Sequence, residues 1–189
     1  LPNLDEPWFA GHCRVALGGG TENMEVQLAA TGRFYETFLY SPRHGQFACV
    51  FADVTERRRA DEKLRASEAR FRQLFDLAPM PLSFVREDGA ITEFNARFEQ
   101  TFGYSHAEIP TLEQWWQRAY PDATYRRWVM EVWEAAVQRA AAAGTDIPPA
   151  EYRVTCRDGQ VRTMLISGVS IGSHILATFF DVSERKAAE

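Results

Sequence analysis

Two periods of apolar and polar residues alternate along this 189-residue chain, and the places where one gives way to the other outline its elements. Residues 80–86 and 90–94 read as short strands around Asp88-Gly89, a dipeptide that supplies the positive φ angles of a tight hairpin turn. Residues 95–103 and 112–120 read as short helices. Asp122 then caps a longer helix in which Tyr125, Trp128, Val129, Val132, Trp133, Ala136, Val137 and Ala140 share one face before Gly144 ends it. A stripe of that width needs a sheet to lie on. Residues 151–156, 161–169 and 174–180 supply three more strands, the first two joined by the hairpin dipeptide Asp158-Gly159. The order is two strands, helices, three strands.

The first 54 residues repeat only the closing part of that plan. Residues 7–17 have a helical pattern, and 24–30, 33–40 and 46–51 are strand-like, with Thr31-Gly32 and Arg43-His44-Gly45 as turns. No opening hairpin precedes them. Three strands leave an exposed edge and an uncovered apolar face, so this part is expected to pack on something else, a second copy of itself included.

The repeat is plainest at the strand ends. Residues 47–59 read Phe-Ala-Cys-Val-Phe-Ala-Asp-Val-Thr-Glu-Arg-Arg-Arg, and residues 175–187 read Ile-Leu-Ala-Thr-Phe-Phe-Asp-Val-Ser-Glu-Arg-Lys-Ala. Asp53 and Asp181 stand 128 positions apart, the length of a domain of about 100 residues and one linking helix. Thr55 and Ser183 suit a strand-to-helix switch as caps, and Glu56 and Glu184 suit the positive end of the helix. After Thr55 the positions Ala60, Leu64, Ser67, Phe71 and Leu74 step by four and three through charged surroundings, the spacing of a coiled-coil seam. One continuous helix over 55–78 follows. Leu64, Phe71 and Leu74 are its candidates for dimerisation; packing on their own domain is the other use of such a short seam.

Composition removes several classes of function. Apolar residues at 46% and charged residues at 25% predict a packed core. A net charge of −5 lacks the field that phosphate backbones require, so no nucleic-acid partner is expected. The only basic run, Arg57-Arg58-Arg59, is flanked by Glu56, Asp61 and Glu62 and reads as a solvated helix face. No apolar run approaches the ~20 residues of a membrane span, so no membrane partner is expected for this fragment, although an anchor elsewhere in a longer parent is compatible with it. Three scattered cysteines, Cys13, Cys49 and Cys156, fit a reducing compartment, and a cytoplasmic location is expected.

The element order, together with the phrases Asp-Gly-Ala-Ile-Thr-Glu-Phe-Asn-Ala-Arg-Phe at 88–98, Phe-Gly-Tyr at 102–104, Tyr-Arg-Val-x-x-Arg-Asp-Gly at 152–159 and Asp-Val-Ser-Glu-Arg-Lys at 181–186, resembles the PAS sensory family. The stretch Thr-Leu-Glu-Gln-Trp-Trp-Gln-Arg-Ala-Tyr-Pro-Asp at 111–122 is similar to a subgroup found ahead of diguanylate cyclase and histidine kinase output domains. The resemblance implies an α+β fold: a five-stranded antiparallel sheet with helices on one face, preceded by a partial PAS repeat and a linker helix. The expected boundaries are 1–54 for the closing part of a first PAS domain, 55–78 for the linker helix, 79–182 for a complete PAS domain and 183–189 for the start of an output helix. In that family the closing Asp and Thr/Ser couple the sheet to the outgoing helix, which assigns signal relay to Asp53, Thr55, Asp181 and Ser183.

Chemistry is sparse. His12, His44, His106 and His174 sit in separate segments, none beside a catalytic partner, so no active site and no catalytic residue are expected. His12 and Cys13 lack further ligands at zinc-like spacing, and no metal is expected. No cofactor is expected either: the long helix has no histidine for heme, and the Asn-Cys-Arg phrase of flavin-binding relatives is absent. The candidate pocket residues are Phe84, Phe94, Phe102, Trp116, Trp128, Tyr152, Val154, Met164, Ile166 and Phe180. They would form either an aromatic cup for a small-molecule ligand or a solid core. Two functions follow from these readings. One is a sensory and relay module of a bacterial two-component or diguanylate cyclase protein, non-enzymatic in itself and passing a ligand or partner signal to its C-terminal helix. The other is a homodimeric scaffold that binds no ligand.

Overall fold

The computed structural model of the chain describes residues 6–28 and 31–187. Expectations that touch residues 1–5, Ala29, Ala30, Ala188 and Glu189, at the ends of the first domain, its first strand and the output helix, lie outside the described residues. The chain forms two units, Leu1–Arg70 and Phe71–Glu189.

In the first unit, helix α1 (Glu6–Gly18) precedes strands β1 (Thr21–Leu28), β2 (Arg33–Tyr40) and β3 (Ala48–Asp53), antiparallel in the order β1-β2-β3. Val15 of α1 and Thr37 and Leu39 of β2 are buried where the helix meets the sheet. Strand β3 starts two residues later than the pattern predicted. Ser41 Oγ donates to the carbonyls of Arg43 and Gln46, holding Gln46 in the loop. Helix α2 (Thr55–Leu77) then runs unbroken through the predicted linker.

The second unit opens with the hairpin β4 (Leu82–Arg86) and β5 (Ile91–Phe94). Gly89 takes φ 82° between them, and the Arg86 amide donates to the Ala90 carbonyl across the turn at 2.9 Å. Helices α3 (Ala96–Phe102), α4 (Leu112–Ala119) and α5 (Ala123–Ala143) follow. Each has a polar cap at its start: Asn95 accepts from Phe98, Thr111 from Gln114 and Asp122 from Tyr125. Gly144, at φ 63°, ends α5 by donating to the carbonyls of Ala140 and Ala141. The chain closes with β6 (Ile147–Thr155), β7 (Val161–Ile171), β8 (His174–Asp181) and α6 (Ser183–Ala187).

These five strands make one antiparallel sheet in the order β5-β4-β8-β7-β6. Strand β6 begins four residues before the predicted 151, with a register shift between Ile147 and Ala150. Pro148 and Pro149 occupy the gap; neither has an N–H, which an edge strand tolerates. One sheet face carries the core, where Val85, Ile91, Tyr152, Val154, Met164, Ile166, Ala177 and Phe179 meet Phe98, Phe102, Trp115 and Val129 of the helices. The far end of α5 adds Ala136 and Ala140 against Ile147. On the opposite face Phe84 packs at a tilt against Phe71 and Phe75 of α2, ring centroids 6.1 and 5.4 Å away.

Candidate functional site

Alternation along the strands and the apolar stripe of α5 aim side chains from every layer at one space. A cavity of about 50 Å³ lies between the sheet and the helices. From the sheet it is lined by Ser83 and Val85 of β4, Ile91 of β5, Tyr152 of β6, Ile166 of β7, and Ile175, Ala177 and Phe179 of β8. From the helical side it is lined by Phe98, Leu112, Trp115, Trp116, Tyr120, Val129 and Trp133. Phe98, Trp115 and Phe179 form one wall, with Phe98 to Phe179 at 5.3 Å edge-to-face and Phe98 to Trp115 at 5.2 Å. No lining residue is charged. Burial, with Tyr125 and Tyr152 close by, pushes the Tyr120 phenol far above its ordinary value, and burial pushes Tyr152 up as well. Both hydroxyls are therefore neutral across the physiological range. One water occupies roughly 10–15 Å³ on this measure, so the space suits a neutral molecule of a few heavy atoms.

Of the predicted pocket residues, Trp116, Tyr152 and Ile166 line this cavity. Phe102, Val154 and Met164 are fully buried in the surrounding core without lining it, and Phe94 packs against that core. Three placements differ from expectation. Phe84 is on the opposite sheet face, against α2. Phe180 is 59% exposed, because on β8 the inward parity belongs to Ala177 and Phe179. Trp128 is 47% exposed, stacked on Tyr125 at the rim of the helical stripe. Phe179 was legible from a period-two count anchored at Asp181, but the Phe179-Phe180 doublet hides the parity in composition alone.

A second arrangement is present twice, at the two strand-to-helix junctions. In the second unit Asp181 Oδ1 accepts from the Ser183 amide at 2.9 Å and Oδ2 from Arg162 Nη1 at 2.8 Å. Ser183 Oγ accepts from the Thr163 amide at 2.9 Å. In the first unit Asp53 Oδ1 accepts from the Thr55 amide at 3.0 Å and Oδ2 from Arg33 Nη1 at 3.0 Å, while Thr55 Oγ1 accepts from the Phe34 amide at 2.9 Å. The hydroxyls thus tie the helix start to the neighbouring strand; the predicted capping of the helix itself is not what they do. The aspartates close the turn instead. Hydrogen bonds from Thr55 and then Arg33 hold the Asp53 carboxyl below the usual range. For Asp181 burial pushes upward, but the bonds from Ser183 and Arg162 outweigh it and the carboxyl is again lowered.

Arg33 and Arg162 were missed in the sequence. They stand 20 and 19 residues before their aspartates, a spacing visible once the two copies are aligned. Asn95 was read only as the start of a helix. It is fully buried: its Oδ1 accepts from Leu82 and Phe98, and its Nδ2 donates to the carbonyls of Phe75 and Met80. Leu64, Phe71 and Leu74 of α2 are exposed. His12 packs edge-on against the Phe47 ring at 4.7 Å. Among the described residues no three His, Cys, Asp or Glu side chains are grouped to hold a metal, and no helix is long and apolar enough to cross a membrane.

Comparison with known proteins places the chain in context. The family model described as PAS domain matches residues 69–137. Among solved structures, a domain of a sensory box sensor histidine kinase/response regulator from Geobacter sulfurreducens aligns at 21% identity and TM-score 0.47, covering 62% of this chain and 96% of that one. The PAS domain of an HTR-like protein from Haloarcula marismortui aligns at 19% identity and TM-score 0.47, covering 66% and 98%. The N-terminal domain of a diguanylate cyclase with PAS/PAC sensor from Marinobacter aquaeolei aligns at 18% identity and TM-score 0.45, covering 56% and 97%. No curated protein matches the chain. The family match falls on the end of α2, the opening hairpin and the helices of the second unit, which a five-stranded antiparallel sheet completes, and over residues 69–137 the chain is similar to a PAS domain.

Proposed function

We propose that the second unit senses a small neutral ligand in its core and relays occupancy to the helix that follows Asp181. The observation that carries this reading is the double use of β8. Ile175, Ala177 and Phe179 line the cavity, and two residues beyond Phe179 the same strand supplies Asp181 to the junction with Arg162 and Ser183. A ligand that shifts β8 shifts the start of α6. Relay requires that the ligand favour one arrangement of the outgoing helix over the other, since equal affinity for both moves nothing. On the same reading the first unit is the closing part of another PAS domain with Asp53 and Thr55 in the relay, and residues 55–78 link the two. The parent is on this reading a sensor histidine kinase or diguanylate cyclase, with the present chain cytoplasmic and carrying neither heme nor flavin.

The test is a melting curve for the unit with a panel of uncharged molecules of a few heavy atoms, paired with hydrogen exchange at Thr163 and Ser183. Molecules that raise the melting temperature are expected to change exchange at both amides. A panel that moves neither removes the sensing role. A second reading, a dimerisation scaffold, is favoured by the exposure of Leu64, Phe71 and Leu74 on α2 at 58%, 49% and 65%. Solution mass decides it: Leu64→Asp and Phe71→Asp are expected to halve the mass of such a dimer, and an unchanged mass excludes the α2 seam.

A further inference from the structure

Resting on the sensing role proposed above, we infer that the ligand of the second unit is a small neutral carbonyl compound without an N–H or O–H of its own, its oxygen seated against the hydroxyls of Tyr120 and Tyr152. Both residues line the cavity, and each is 2% exposed. Among the described residues nothing bonds to either hydroxyl. Other tyrosines of the unit are paired: Tyr104 Oη donates to the Thr155 carbonyl at 3.0 Å, and Tyr125 Oη accepts from the Arg153 amide at 2.8 Å. In the first unit Thr37 Oγ1 is unpartnered too, but its neighbours seal it in. The Tyr120 and Tyr152 oxygens are not sealed, and for residues this buried the space they meet is the cavity they line. Leaving such a hydroxyl without a partner is costly, so the site favours an occupant that supplies one.

The wall chooses the chemistry of that partner. Its polar side chains are Ser83, Tyr120 and Tyr152, with hydroxyls, and Trp115, Trp116 and Trp133, with indole N–H groups. An indole N–H only donates, and no lining side chain is an acceptor alone. Burial, then the neighbouring Tyr125 and Tyr152, keeps the Tyr120 phenol protonated, and burial does the same for Tyr152, so both are donors. A carbonyl oxygen brings two lone pairs and no proton, which two phenols can fill. A ligand N–H or O–H finds only the hydroxyl oxygens to accept it. A carboxylate or an ammonium group meets no opposite charge on this wall, and burying it unpaired is costlier still. A hydrocarbon leaves both phenols unmet.

Ser83 is also unpartnered, at 3% exposure, but it stands elsewhere. It lies across from Ala177 and through it Gly168, whereas Tyr152 lies across from Met164. The two residues are therefore roughly 14 Å apart across the sheet and roughly 13 Å apart along it. A molecule of a few heavy atoms held by the phenols does not reach Ser83, which makes that residue the control.

The experiment titrates the whole chain with cyclopentanone, its alcohol cyclopentanol and its hydrocarbon isostere methylenecyclopentane, following the Tyr152 and Ile166 amides by NMR. Cyclopentanone is expected to bind more tightly than cyclopentanol. Tyr120→Phe and Tyr152→Phe are each expected to weaken cyclopentanone about five- to tenfold and to leave methylenecyclopentane unchanged, which shows that the cavity is intact in both variants. Ser83→Ala is expected to leave cyclopentanone unchanged. The inference is overturned if cyclopentanol binds as tightly as cyclopentanone, or if the tyrosine variants weaken ketone and hydrocarbon alike or weaken neither. Loss of ketone binding in Ser83→Ala alone overturns it as well. In each of these cases a probe still enters the cavity and the sensing role stands. A chain that binds none of the three probes also overturns the inference, and the sensing role falls with it when the panel of uncharged molecules leaves the melting temperature unmoved.

Discussion

Replacing Asn95 with alanine tests whether the second unit is held together at its entrance by one buried amide. The Asn95 side chain accepts from Leu82 at 2.9 Å and Phe98 at 3.0 Å, and donates to Phe75 at 2.9 Å and Met80 at 3.0 Å. All of its hydrogen-bonding capacity is used. The bonds join the end of α2, the start of β4 with the residues before it, and the first turn of α3. Each such bond contributes about 0.5–1.5 kcal/mol net, and a buried group left without a partner costs about 1–3 kcal/mol. Water entering the vacated space recovers part of that, so Asn95→Ala is expected to cost about 3–4 kcal/mol. The readout is urea unfolding of the second unit by the fluorescence of Trp115, Trp116, Trp128 and Trp133, together with hydrogen exchange. The midpoint is expected to fall with an unchanged slope, and the Leu82 and Phe98 amides to lose protection before the rest of the sheet. Asn95→Asp keeps both accepted bonds but turns an oxygen toward the Phe75 and Met80 carbonyls, so it is expected to cost at least as much. A loss below about 1 kcal/mol in Asn95→Ala, with both amides still protected, would refute the reasoning.

The neighbouring phenylalanines of β8 make a paired test: Phe179→Ala is expected to cost about 3–5 kcal/mol and Phe180→Ala under about 0.5 kcal/mol in the same urea assay. Equal losses would mean that the inward parity is misassigned. Asp181→Asn removes the charge that meets Arg162 but leaves an oxygen for Ser183, so a loss of about 1 kcal/mol or less is expected, this being a partly exposed pair. Because the Asp181 carboxyl is lowered in the folded state, its contribution is complete above the ordinary aspartate range and disappears as pH falls through the lowered value; Asp181→Asn is expected to flatten that part of the acid stability profile. The Asp88 carboxyl, held down to about 2 by Arg86 and the Ala90 amide, is expected to titrate there in a carbon-detected NMR titration and to rise toward the usual value in Arg86→Ala.

How far the sequence reaches depends on the range of the interaction concerned. The hairpin at Asp88-Gly89, the cap Asp122 and the helix end at Gly144 depend on backbone angles and bonds within a few residues, and these are legible in the residues themselves. Internal repetition added the next level, because two copies of one strand ending require two sheets that end alike. The candidate pocket was legible as a set of aromatic residues but not as a wall. Trp116, Tyr152 and Ile166 reach the cavity, while Phe84 and Phe180 belong to the other sheet face.

The reason is that a strand's own pattern gives two faces without saying which one the helices cover. In β8 both faces are apolar, Ala177 and Phe179 on one and Leu176 and Phe180 on the other, so only pairing with β4 and β7 and the descent of α3 to α5 onto one side make the choice. The arginines at the junctions are another case: Arg162 is one charged residue among many until β7 and β8 align and bring it to Asp181. By itself the sequence determined the elements, their order and the doubled ending, all products of local geometry and apolar period. Only the tertiary structure decided which residues enclose the cavity and that Asn95 ties three segments together, because these depend on which face meets which across many residues of chain.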